Sequence, residues 1–131
     1  MFRILLAAAI VALVAQTEFK DEAEYRDEMR EIDHAFSVLS ENQPIQKGPE
    51  VEREAARLAE LFEDVEDFWK ARGEEEAANY ARMAKDGATR AGKAARDSDE
   101  PSYEAAVRII ASSCEGCHKE PLEKYRFPLP E

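Results

Sequence analysis

At 131 residues the chain fits one domain, long enough to bury a hydrophobic core without help from disulfides or metals. Its 29 acidic residues against 18 basic give a net charge of −11, which argues against nucleic acid as a partner. Such acidity chiefly keeps a helical protein soluble and monomeric, and it can also steer a basic partner by long-range attraction.

The chain begins Met-Phe-Arg and continues with an unbroken apolar stretch from Ile4 to Ala15. A positive start followed by a short apolar run is the pattern of an export signal, and spanning a bilayer takes about 20 apolar residues, more than this run provides. Residues 1–15 are therefore read as a signal peptide cut after Ala15, with the domain over 16–131. Removing Arg3 from the 18 basic residues leaves 17 against 29 acidic, a net charge of −12.

Beyond the signal, few β-branched residues, abundant Ala, Glu, Lys and Arg, and three clusters of turn residues predict an all-α antiparallel four-helix bundle. The first helix is expected over about Glu18 to Ser40, with Tyr25, Met29, Ile32, Phe36 and Leu39 on one stripe. Asn42 to Pro49 breaks the pattern, and a second helix over about Glu50 to Arg72 aligns Val51, Ala55, Leu58, Phe62, Val65 and Trp69. Gly73 ends it. A third, about Glu74 to Arg96, carries a stripe of alanines beside Tyr80 and Met83, with Gly87 and Gly92 inside. Ser-Asp-Glu-Pro at 98–101 is a helix start, and the fourth helix, about Pro101 to Glu120, aligns Tyr103, Val107, Ile110, Cys114 and Cys117. The end, Phe127 to Glu131, is expected to be extended.

The only two cysteines lie in Cys114-Glu115-Gly116-Cys117-His118, the C-x-x-C-H spacing of a c-type haem attachment. Two thiols one turn apart can each add to a haem vinyl group while the adjacent imidazole ligates the iron. Gly116 removes bulk from the face a porphyrin must approach. Three other readings compete. A disulfide over so short a loop restricts the unfolded chain little. A thioredoxin-like redox pair needs a β-α-β setting at the start of a helix. A zinc site needs four ligands, and His34 is the only other histidine.

With the motif on the last predicted helix, the chain resembles the class II c-type cytochromes, the group containing cytochrome c prime and its low-spin relatives. The resemblance also rests on Tyr25-Arg26-Asp27-Glu28-Met29-Arg30-Glu31-Ile32, which looks like the first-helix segment facing the sixth iron position. It implies a periplasmic four-helix bundle carrying one covalent haem c on Cys114 and Cys117, with His118 as proximal ligand. It also implies a candidate homodimer through the first two helices, which the stripe around Phe62 and Trp69 would permit. Two departures stand out. Lys119 to Lys124 separates His118 from Tyr125-Arg126, with Pro121 breaking the helix, and Met29 follows Arg26 by three residues where four are expected.

What faces His118 decides the function. Met29 is the candidate distal ligand; a thioether there favours ferrous iron and single-electron transfer with a redox partner, one with a basic surface fitting best. If Met29 only fills the core, the iron is five-coordinate and the chain is a gas-binding module for nitric oxide or carbon monoxide. His34 falls on the outward side of its helix, and nothing around Met83 marks a haem face. Arg26 and Arg30 are candidate propionate contacts, or pair with neighbouring acids along the helix. Phe62, Phe68, Trp69 and Tyr80 are expected in the haem pocket or the core. No nucleophile-base pair stands out, so the expectation is a carrier, not an enzyme.

Overall fold

The computed structural model describes residues 22–42 and 48–119. The predicted signal segment 1–15, the start of the first predicted helix, and the stretch holding Pro121, Tyr125, Arg126 and the proline-rich end lie outside the described residues. The described residues form four α-helices and no strand: α1 (Glu22–Glu41), α2 (Gly48–Ala71), α3 (Glu75–Arg96) and α4 (Glu100–His118). None of the four is long and apolar enough to cross a membrane.

Local chemistry sets the turns. Gly73 takes a left-handed backbone (φ 71°), letting Glu74 N–H reach Trp69 C=O at 3.0 Å and its own N–H reach Lys70 C=O at 3.0 Å. Those two bonds close the last orphan carbonyls of α2. The α3–α4 turn repeats the device without glycine: Ser98 holds φ 51°, and Asp99 N–H bonds Ala94 C=O at 2.9 Å. Asp99 then caps α4, accepting from Ser102 N–H at 3.2 Å and Ser102 Oγ at 2.6 Å, with Pro101 in the first turn. Hydrogen bonds from the Ser102 hydroxyl and N–H hold the Asp99 carboxyl below its ordinary range.

The predicted stripes are the core. Tyr25, Ile32 and Leu39 of α1 and all six predicted positions of α2 are buried, as are Tyr103, Val107 and Ile110 of α4. Phe62 and Trp69 are thus buried within the chain. The alanine face of α3 brings two helices close. A Cβ on Gly87 would stand 2.9 Å from Ile110 Cγ1 and 3.2 Å from Ile109 Cγ2, so α4 rests where a side chain would be.

Consecutive helices pack in antiparallel fashion, α1 on α2, α2 on α3 and α3 on α4, whereas α1 and α4 approach at few points. One end of that fourth seam is tied by Tyr103 Oη donating to Leu39 C=O at 2.7 Å. The opposite end holds the cavity described next. α4 stops at His118, with Lys119 already extended (ψ 154°), so the helix ends before Pro121 and before the expected Glu120.

Candidate functional site

The antiparallel run of α1 against α4 that pairs Leu39 with Tyr103 brings Met29 opposite Cys114 and Tyr25 near Cys117. Between them lies a cavity of about 460 Å³, within the usual span of ligand pockets, roughly 300–1,000 Å³. Its walls are Met29, Ile32 and Phe36 of α1, Phe62 and Val65 of α2, Tyr80 of α3, and Cys114, Cys117 and His118 of α4. Cys114, Cys117 and His118 therefore line one largely apolar space with Met29, though they come from opposite ends of the sequence.

Both cysteines are half-buried, and they are not joined to each other. Burial pushes each thiol up to about 11, helped at Cys114 by the neighbouring Cys117 and the Asp33 carboxylate, and at Cys117 by the Glu76 carboxylate. They also occupy the C-terminal turn of a helix, where the dipole disfavours an anion. At neutral pH the pair is two neutral thiols, the reverse of the activated thiolate of a redox Cys-x-x-Cys motif. Among the described residues no group of three His, Cys, Asp or Glu side chains gathers as a metal cage, and His34 is exposed on the outer side of α1. The neutral thiols weigh against the redox reading, and the exposure of His34 on the outer side of α1 sets it apart from the cysteines.

The other sequence candidates divide. Phe62 and Tyr80 line the cavity. Phe68 and Trp69 lie in the core with Tyr25, whose Oη accepts from Trp69 Nε1 at 3.1 Å; the Tyr25 and Phe68 rings are 4.5 Å apart. Burial drives the Tyr25 phenol upward, with the Trp69 hydrogen bond opposing it. Met83 is 48% exposed and has no part in the site. Arg30 is an exposed partner of Asp27 at 2.6 Å, as expected of a solvated helix face. Arg26 bonds Glu22 more loosely, at 3.6 Å, and its Nε is buried without a hydrogen-bond partner. Of the two arginines, only Arg26 has a buried nitrogen without a hydrogen-bond partner.

Two features were not read from the sequence. Asp33 joins the cavity wall one turn beyond Met29, a position the i,i+4 rule could have supplied. The space beside Gly116 is taken by the Tyr80 ring, with which any Cβ at 116 would collide. The missing side chain of Gly116 thus serves α3–α4 packing against Tyr80. No known protein family, curated protein or solved structure matches the chain.

Proposed function

We propose that the chain is an exported c-type haem protein of the class II cytochrome kind that carries single electrons outside the cytoplasm. The observation that carries this reading is the opening of Cys114-x-x-Cys117-His118 onto an apolar cavity whose facing wall is Met29. The residues present fit the group. Cys114 and Cys117, both free of a disulfide, would hold it through two thioethers, each formed as a reduced S–H adds across a vinyl double bond. His118 would ligate the iron from α4 and Met29 from α1. Neither Arg26 nor Arg30 lines the cavity; Arg26, with a buried Nε that lacks a hydrogen-bond partner, is the better candidate for a propionate carboxylate, since Arg30 is exposed and paired with Asp27.

A bound haem supplies the iron centre that gains and loses the electron. The chain supplies the rest: Phe36, Phe62 and Val65 exclude water, and the α3–α4 contact fixes the turn that bears the ligands. The acidic surface suits a basic redox partner, and residues 1–15 carry the case for the periplasm. A second reading, a five-coordinate gas-binding module, is favoured by the open α1/α4 seam beside Met29.

Absorption spectra of protein made with a cytochrome c maturation system decide between them. A low-spin ferrous spectrum insensitive to carbon monoxide is expected, and Met29→Ala should convert it to a high-spin, carbon monoxide-reactive one. A native high-spin spectrum that shifts with carbon monoxide would establish the gas-binding module instead. Replacing both Cys114 and Cys117 by alanine should abolish haem that survives acidic organic extraction; covalent haem in that variant would overturn the attachment.

A further inference from the structure

The cavity wall carries two acidic side chains, and they differ in how they are satisfied. Glu115 lies on α4 beside the cysteines and is held by Lys119 Nζ at 3.3 Å. Asp33 stands across from it on α1, one turn beyond Met29. Among the described residues no cation or hydrogen-bond donor meets its carboxylate; its backbone carbonyl alone is engaged, accepting from Ser37 Oγ at 2.8 Å. Of the arginines on its helix, Arg26 pairs with Glu22 and Arg30 with Asp27, and neither reaches the Asp33 carboxylate.

We propose that the Asp33 carboxylate sets the reduction potential of the group held at Cys114, Cys117 and His118, biasing its iron toward the ferric state. This rests on the haem reading above. Ferric iron carries one more positive charge than ferrous iron, so an unpaired negative charge on the same wall stabilises the oxidised form. Most of the remaining lining is apolar and offers few dipoles to offset that charge. Asp33 and Cys114 line the same cavity from its two sides. Asp33 lies at the solvent side of the wall, which moderates the effect without cancelling it. The reaction involved is one electron passing from a mediator to Fe(III), with no bond made or broken.

The test is spectroelectrochemical titration of the matured full-length protein as wild type, Asp33→Asn, Asp33→Glu and Asp27→Asn. Asp27 is an exposed acid of the same helix, already paired with Arg30, and serves as the control for general surface charge. Asp33→Asn should shift the equilibrium about three- to tenfold toward ferrous iron, about 30–60 mV upward at 59 mV per tenfold. Its absorption spectrum should be unchanged, and Asp33→Glu and Asp27→Asn should stay near wild type. An unmoved potential in Asp33→Asn, or an equal shift in Asp27→Asn, would overturn the proposal. A changed spin state in Asp33→Asn would also overturn it, since Asp33 would then be positioning a ligand. Wild-type protein without covalent haem is a different failure, that of the function itself.

Discussion

Ser98 occupies a left-handed backbone position (φ 51°) that its equivalent in the preceding turn fills with Gly73. A side chain there costs about 1–2 kcal/mol through its Cβ, partly offset by the smaller entropy loss of a non-glycine residue. Ser98 is exposed and its hydroxyl caps nothing, so Ser98→Gly should stabilise the chain by about 0.5–1 kcal/mol in chemical denaturation. Gly73→Ala should destabilise it by a comparable amount, because both residues serve the same turn geometry. A loss of stability in Ser98→Gly would mean that the turn tolerates its strain for a reason other than backbone geometry.

At the scale of the helices, what decides a substitution is the neighbouring helix and not propensity. Gly87 and Gly92 both lie inside α3, and each is unfavourable by about 1 kcal/mol against alanine in an isolated helix. Their surroundings differ. A Cβ on Gly92 meets Ala55 Cβ at an ordinary 3.4 Å, whereas one on Gly87 collides with Ile110 at 2.9 Å and approaches the Ala106 carbonyl at 3.3 Å. Gly92→Ala should therefore raise stability by about 0.5–1 kcal/mol, and Gly87→Ala should lower it by about 1–3 kcal/mol as α4 is pushed away. Thermal melts of the two variants should move in opposite directions. The same contrast explains how much of the fold was legible. Stripes such as Val51 to Trp69 and breaks such as Gly73 follow from residue spacing, so four helices and most boundaries were readable. Which glycine bears a neighbour depends on the register between helices, and spacing along one helix carries no such information.

Across the whole molecule the same division separates the parts of the site. Cys114, Cys117 and His118 are adjacent in sequence and announce themselves, and Met29 follows from the α1 stripe. Asp33 lies four residues beyond Met29 and was legible by that spacing, whereas spacing left Tyr80 between pocket and core until the rotation of α3 put it in the wall, and Arg26 and Arg30 differ in which guanidinium reaches solvent. Long-range charge arrangement was equally hidden, and it sets the pH dependence of stability. Glu66 is buried on α2, at 3% exposure, yet meets Lys70 at 2.6 Å, Lys85 at 2.8 Å and Arg82 at 3.6 Å. Burial opposes its ionisation, but the hydrogen bonds from Lys70 and Lys85 prevail and hold its carboxyl below the ordinary value. Its contribution is present above the ordinary carboxylate pKa of 4.5 and is lost as pH falls through the depressed folded value. Glu66→Gln should accordingly cost about 1–2 kcal/mol at pH 7 and progressively less toward acid. Glu28 works in the opposite sense. Burial, then the charge and hydrogen bond of Asp64 and the charge of Glu31, push its carboxyl up from 4.5 to about 7, with Arg57 pulling the other way. A raised folded pKa gives stability that is complete below pH 4.5 and is lost as pH rises through about 7. Glu28→Gln should leave stability near wild type below pH 4.5 and raise it by about 1–2 kcal/mol at pH 8, allowing for screening of this partly exposed group. Urea unfolding of both variants from about pH 3 to pH 8 checks the pair: the Glu66→Gln deficit should hold steady above the ordinary carboxylate pKa of 4.5 and shrink below it, whereas the Glu28→Gln gain should grow as pH rises from 4.5 through about 7. A Glu28→Gln gain that is the same at pH 4 and pH 8 would show that Glu28 acts through packing and not through its charge.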